Sequence, residues 1–485
     1  MMKLRSIALA LLVAYPMGAV QSAQAVQSIE LPDLGEVSRA ALSESSEDRV
    51  GREIMQQIRD DVEYLDDPVL LEYLNALGDR LAAASADPTR HFDFFIVRDR
   101  SINAFALPGG HIGVHTGLIS ITRNESELAS VLAHEIGHVT QKHIARMVDS
   151  QKSAGLATLL ALAVAILAAR SNSQVSEAAI VGSQAANIQN QLNFTRENER
   201  EADRAGFQTL VAADFSAQGM ATFFERLQAE SRVSETNAPA YLRTHPITFQ
   251  RIADIQDRLS SVPYRQVKDG DEFAFVRARV QASEGEAQEA ASRFEIMVAE
   301  QPTPAAWYGL AQASMRTGNT VRAEQALDAI QQGTVRSGGV SVPLMAVARC
   351  ELALARKQPA EAVRVSTAAL AHQSAYRPLA YLHVRALLSA NQPRQALDFL
   401  SERQRIWSSD GRLYALQSEA YQALGQAAQA HLAQAESYVL ADRTGAAIEQ
   451  LQLAQRAGKA DFYTLSIIDA RLRNLRERQQ KEAPR

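Results

Sequence analysis

Val131-Leu132-Ala133-His134-Glu135-Ile136-Gly137-His138-Val139 is the stretch on which the reading of this chain turns. It has the form H-E-x-x-H inside an apolar run without proline, and its glycine lies between the two histidines. On an α-helix, residues four apart share a face, so the imidazoles of His134 and His138 can converge on one metal ion. Glu135 sits one residue round, where its carboxylate can reach water at the metal without being a ligand. A pair of ordinary surface histidines is the alternative. The flanking Val131, Leu132, Ile136 and Val139 speak against it, because they imply a mostly buried helix.

The sequence on either side supplies a frame for that helix. Upstream, Val50, Ile54, Ile58, Val62 and Leu65 fall at three- to four-residue spacing and predict an amphipathic helix. Asp66-Asp67-Pro68 then stops it and offers a cap and first-turn proline to a second helix carrying Leu70, Leu71, Leu74, Leu77 and Leu81. Phe92 to Val97 reads as a strand, and Asn103 to Gly110 leads through a turn into a further apolar run from His111 to Ile119. A small sheet is therefore expected just before the metal helix, either as core support or as an edge to which a substrate peptide adds as a strand. His111 and His115 read as ordinary strand residues. Asn124, with Glu127 three residues on, reads as a capping box opening the metal helix. His143 falls about 140° round that helix from His138 and reads as supporting rather than ligating.

A catalytic zinc site uses three protein ligands and leaves a position for water, so the two histidines need a partner. In Asn198-Glu199-Arg200-Glu201-Ala202-Asp203, Glu199 and Asp203 lie four apart on one helical face. Glu199 can ligate while Asp203 holds a ligand histidine by its second ring nitrogen. Taken alone, such a run reads as a solvated charged helix. Together with His134-Glu135-Ile136-Gly137-His138 about sixty residues earlier, and with Asn103-Ala104-Phe105-Ala106-Leu107-Pro108-Gly109-Gly110 before that, residues 48 to 255 resemble the M48 peptidases, zinc-dependent endopeptidases of the gluzincin type. The resemblance implies that Glu199, and not Glu201, is the third ligand. It also picks out His245 in Arg243-Thr244-His245-Pro246, followed by Arg251-Ile252, as an oxyanion donor or as a removable fourth zinc ligand that keeps the enzyme latent.

From about Phe273 the chain becomes helical, rich in Ala, Leu and Gln, with a period of 34: Ala362, Ala396 and Ala430; Met345, Leu379 and Leu413; Ala348, Leu382 and Leu416. Trp307, Leu310, Gly318, Ala323 and Leu327 fit a further copy, offset by five residues through Gly338-Gly339. The pattern resembles tetratricopeptide repeats, whose paired helices stack into a curved solenoid.

The N-terminus reads as an export signal. Lys3 and Arg5 precede an apolar run from Ile7 to about Val20, and Ala23-Gln24-Ala25 offers a cleavage site. Removing that segment takes the formal charge from −5 to −7 and argues against nucleic acid as the main partner. Cys350 is the one cysteine, so no intramolecular disulfide can form, and it reads as a small core residue. Leu156 to Ala169 is apolar but short for a bilayer span; it reads first as a buried helix and second as a lid or membrane contact.

These readings predict a mainly α protein: signal peptide 1–25, N-terminal arm 26–47, gluzincin-type metalloprotease domain with a small β-sheet 48–265, α-solenoid of tetratricopeptide-like repeats 270–470, and a charged, fraying tail 471–485. The expected chemistry is peptide-bond hydrolysis with one zinc ion on His134, His138 and Glu199 and Glu135 as general base. Asp203 would orient a ligand histidine. Taken with the export signal and repeats, the resemblance implies a periplasmic enzyme whose substrates are unfolded, stalled or misassembled outer-membrane proteins. It also implies association with the barrel-assembly machinery through the repeats, and leaves peripheral membrane contact open. The competing expectation is a periplasmic chaperone or scaffold, with proteolysis secondary.

Overall fold

The computed structural model describes residues 43–150, 196–233, 240–263, 267–268, 270–333, 339–458 and 461–482. The expected signal peptide, most of the arm and the apolar run 156–169 lie outside them. The described residues form 21 α-helices and one three-stranded sheet.

Helix α1 (Glu44–Asp60) begins where Ser43 Oγ accepts the Ser46 N–H, and it buries Val50, Ile54 and Ile58 on one face. The sequence pattern carries this helix on to Leu65, but the structure ends it at Asp60. Asp61 accepts the Glu63 N–H at 2.8 Å and turns the chain, leaving Val62 88% exposed while Leu65 enters the core from the loop. Helix α2 (Pro68–Ala83) starts as expected: Asp67 Oδ1 accepts the N–H groups of Val69 and Leu70, and Pro68 fills a first-turn position whose missing N–H costs nothing.

The sheet runs in the order β1-β3-β2. Strand β1 (Asp93–Val97) pairs parallel with β3 (His111–His115) in the register Asp93 to His111, and β2 (Ala104–Leu107) pairs antiparallel with β3 in the register Ala104 to Val114. The apolar run expected to continue to Ile119 leaves the sheet after His115. Thr116 Oγ1 there bonds Asp99 O at 2.9 Å and the chain coils into helix α3 (Thr116–Ile121).

Helix α4 (Glu125–Thr140) carries the motif. Asn124 Oδ1 accepts the Glu127 N–H at 2.8 Å, but Glu127 returns its carboxylate to the N–H of Arg123, one residue before the cap, and is also gripped by Arg226 at 2.7 Å. Lys142, at φ 54°, then breaks the helix, so His143 opens a separate helix α5 (His143–Ser150). Helix α6 (Arg196–Ala212) lies against α4 backbone to backbone. A Cβ on Gly206 would stand 2.9 Å from His134 N, and one on Gly137 2.9 Å from Ala202 O, so the approach requires glycine at both positions. Helices α7 (Gln218–Val233), α8 (Ala240–Thr244) and α9 (Phe249–Ser261) close this part of the molecule.

Twelve helices follow in six pairs, from Asp271–Ser283 to Phe462–Glu482. Ala362, Ala396 and Ala430 are buried in the second helices of successive pairs, and Leu379 and Leu413 in the first helices; Met345, in the same register, is half-buried. The turns repeat as well: Lys357, Asn391 and Gly425, each 34 residues apart, all take positive φ, as does Gly318 in the offset copy. Cys350 is buried, with Sγ 3.6 Å from Ala362 O. The stretch from Arg471 expected to fray continues the last helix to Glu482, because Ile468, Leu472 and Leu475 pack against Leu451.

The solenoid curls onto the protease part rather than trailing from it. One buried apolar cluster runs from Leu65 through Phe273 and Tyr308 to Ala380. Four arginines of the repeats reach acids between the end of α1 and the second turn of α2. Arg279 Nε stands 2.7 Å from Asp67 Oδ2 and its Nη2 2.8 Å from Glu351 Oε1; Arg377 Nε is 2.8 Å from Glu72 Oε2; Arg412 pairs with Asp66, and Arg443 with Asp60. No helix among the described residues is long and apolar enough to cross a membrane.

Candidate metal centre

Helices α4 and α6 bring His134, His138 and Glu199 together, and the loop after α8 adds His245; one ligand atom from each lies within 4.8 Å of the others, and all four residues are buried. His134 Nε2 and His138 Nε2 are 3.0 Å apart, and Glu199 Oε2 and Oε1 stand 3.5 Å from them respectively. His245 Nδ1 is 3.0 Å from Glu199 Oε1 and 3.4 Å from His134 Nε2, while its Nε2 is 3.6 Å from Glu135 Oε1.

The far sides of the histidines settle which nitrogens are bare. Asp203 Oδ1 stands 3.0 Å from His134 Nδ1, and a carboxylate can only accept, so Nδ1 keeps a proton and Nε2 is the nitrogen turned inward to ligate. Asp203 is itself clamped by Arg251, with Nε and Nη2 at 2.6 and 2.7 Å. Arg251 Nη1 also comes within 2.8 Å of Glu199 Oε2 and donates to Pro246 O at 2.9 Å, which ties the His245 loop to α6. The Tyr241 ring stacks on His245 at 4.6 Å between centroids.

The electrostatics favour a cation. Three buried carboxylates, Glu135, Glu199 and Asp203, face one buried guanidinium. Burial opposes charge on His134, yet hydrogen bonding to Asp203 and Glu199 lifts its pKa to about 9, so a cation entering the site displaces a proton from Nε2, whose lone pair then faces it. Burial would raise Glu199, but the charges and hydrogen bonds of His245, His134 and His138 hold it well below the usual carboxylate range. His138 is pushed well down by burial and by His134. Burial also holds His143 down, at about 4 despite Glu201. Two inward lone pairs, an ionised carboxylate and a third imidazole fit a divalent zinc ion by number and type of donor.

The sequence profile of peptidase family M48 matches residues 69–259. A Vibrio cholerae relative carrying the name beta-barrel assembly-enhancing protease is 43% identical over 252 residues, which span 52% of this chain and 52%, about half, of that relative. The beta-barrel assembly-enhancing protease of Escherichia coli K12 is 32% identical over 484 residues, covering 98% of this chain and 97% of that one. This chain belongs to peptidase family M48. A more distant relative, the mitochondrial metalloendopeptidase OMA1 of Schizosaccharomyces pombe, is 31% identical over 197 residues, 40% of this chain and 54% of its own. As an M48 member the protein is a zinc metallopeptidase.

Within the M48 site the structure gives partners to residues that the sequence reading set aside as ligands. Glu201, set aside as a ligand, lies 3.1 Å from His143 Nε2 and 2.6 Å from Arg146 Nη2. His143 stands 2.8 Å from His138, Nδ1 to Nδ1, because the break at Lys142 swings it back rather than round a continuous helix. His111 and His115 stay in β3, His111 against Asp93 at 3.1 Å and His115 against Ser101 at 2.9 Å. An H at five residues past the motif with an acid two past Glu199 was the available signal; the break at Lys142 left no mark in the hydrophobic pattern.

Proposed function

We propose that this chain is a periplasmic zinc endopeptidase that degrades misfolded or stalled envelope proteins and supports outer-membrane protein assembly. The observation that carries this reading is the state of Glu135. It is fully buried beside the ligand cluster, with Oε1 3.6 Å from His245 Nε2, and burial raises its pKa against the Ala106 backbone and the neighbouring histidines. A carboxylate prepared in that way accepts a proton more readily than one in water and can give it back. Zinc, when bound, supplies Lewis acidity that acidifies water and polarises a peptide carbonyl. Glu135 takes the proton released as water attacks and passes it to the leaving amine. Strand β2 packs on α4 and lies at the edge of the sheet, so its backbone can receive an extended peptide as an added strand.

His245 stands with the ligands, which favours its reading as a removable fourth ligand over that of an oxyanion donor. His245→Ala then raises cleavage of casein; a fall would assign the donor role, and unchanged turnover would remove both.

The export-type N-terminus supports a periplasmic location. The names of the Vibrio and Escherichia relatives support work on β-barrel assembly, with the solenoid as the surface for unfolded outer-membrane proteins and for the assembly machinery. The extent of that solenoid, twelve of the 21 helices among the described residues, supports a second reading in which binding is the main work and proteolysis secondary. Glu135→Gln separates the two. The first reading expects zinc and partners to be retained, cleavage of an unfolded protein to be lost, and a deletion strain not to be rescued. Full rescue by this variant would select the second.

A further inference from the structure

His138 and His143 face each other through their Nδ1 atoms at 2.8 Å, both rings buried. A neutral imidazole has one nitrogen that donates and one that accepts, so in that contact one ring gives its hydrogen and the other offers a lone pair. Which ring gives is decided at the other end of His143. Its Nε2 lies 3.1 Å from Glu201 Oε2, and a carboxylate only accepts. Glu201 is kept ionised and in place by Arg146, whose Nη2 is 2.6 Å from the same oxygen and 2.9 Å from Asn198 Oδ1. The hydrogens therefore run in one direction: His143 Nε2–H to Glu201, His138 Nδ1–H to His143. That leaves the lone pair of His138 Nε2 facing His134 Nε2 and Glu199. In the reverse direction His138 would carry its hydrogen on Nε2 and could not ligate.

We infer that His143 and Glu201 are positioning residues that hold His138 in the tautomer and orientation zinc requires. The inference rests on the zinc-site reading. Both histidine ligands then end in a carboxylate–arginine pair: His134 directly in Asp203 and Arg251, His138 through one more imidazole in Glu201 and Arg146. The two outer pairs differ in setting. Asp203 and Arg251 are buried, whereas the side chains of Glu201 and Arg146 are each 22% exposed, so the second relay ends near solvent.

The test compares two replacements of His143 in the full-length protein, with zinc affinity read by competition against a chromophoric chelator and folding by thermal melting. His143→Phe keeps a ring in the same space and has no acceptor. His143→Asn is smaller but places an amide oxygen near the position of Nδ1, where it can accept from His138. A relay predicts that Phe weakens zinc binding by roughly 10–100-fold and that Asn restores most of it. A packing role predicts the opposite order, because Phe fills the space better. Glu201→Leu, at a half-buried position, weakens zinc to the same extent as His143→Phe and decides the matter if that variant does not fold. Zinc bound as tightly by Glu201→Leu and His143→Phe as by the wild type, or more weakly by Asn than by Phe, overturns the relay while leaving the zinc site standing. Wild-type protein that binds no zinc overturns the site itself.

Discussion

The metal centre and the repeat array are both built of helices, but they bury opposite things. Around α4 and α6 the buried side chains include His134, Glu135, His138, His143, Glu199, Asp203, His245 and Arg251. In the repeats the buried positions are filled by Ala348, Cys350, Ala362, Leu379, Ala396, Leu413 and Ala430, and ionised groups such as Arg349 and Asp328 pair at the margins. The array completes itself, because each helix pair covers the apolar face of its neighbour. The centre is completed only when positive charge answers its carboxylates, since charges taken out of water are stable only when paired.

The comparison can be broken at four points. The largest effect belongs to Glu135→Gln, which should lower cleavage of an unfolded protein by about 10²–10⁴-fold, the usual worth of a general base, with zinc content and melting temperature at wild-type values. Residual cleavage near wild type would mean that the chemistry lies elsewhere. Next comes removal of zinc. At free metal about a thousand times its Kd, binding contributes roughly 4 kcal/mol, so chelation should accelerate amide hydrogen exchange in α4 and α6 and leave the helix Ala427–Leu440 unchanged. Equal acceleration in both would show that the two regions do not differ as argued. Leu413→Ala, at a fully buried site, should cost about 2–5 kcal/mol in denaturant unfolding without altering zinc affinity. Smallest of all, Arg443→Ala removes a contact whose partners are 32% and 57% exposed; it should cost under about 1 kcal/mol, and less at high salt. A larger cost would place that contact among the structural ones.

Much of the centre could be read from the sequence because its parts are local. His134, Glu135 and His138 share one helix, Glu199 and Asp203 another, and spacing on a helix fixes direction. Asn124 and Asp67 were legible for the same reason, since a cap bonds within three residues. The period of 34 marked the solenoid because each copy must present the same buried face. Other features left no local trace. Val62 matches the helical period but follows Asp61, whose side chain turns the chain. His143 reads as a continuation of α4 until Lys142 adopts φ 54°. Leu472 and Leu475 were hidden among charges although they share a face with Ile468. The arginines that join the solenoid to the protease have partners 212 to 383 residues away for Asp67, Asp66 and Asp60, and an exposed arginine looks the same in sequence whatever it meets.

Those arginines are not equal along the curve. Arg279, at the root, has a side chain only 12% exposed, whereas Arg377, Arg412 and Arg443 are 41%, 32% and 32% exposed. Mobile ions reach the outer contacts and not the inner one, and at physiological ionic strength they screen charges beyond about 8 Å. The ion pairs between the solenoid and the protease part are thus screened unevenly, least at Asp67 and most at Asp66 and Asp60. Rising salt weakens the outer pairs first, among them those of Arg377 and Arg412, which line a cleft of about 700 Å³ together with Arg59, Tyr64, His91 and Tyr381. The catalytic helices keep their spacing whatever the salt, because Gly137 and Gly206 set it by direct backbone contact.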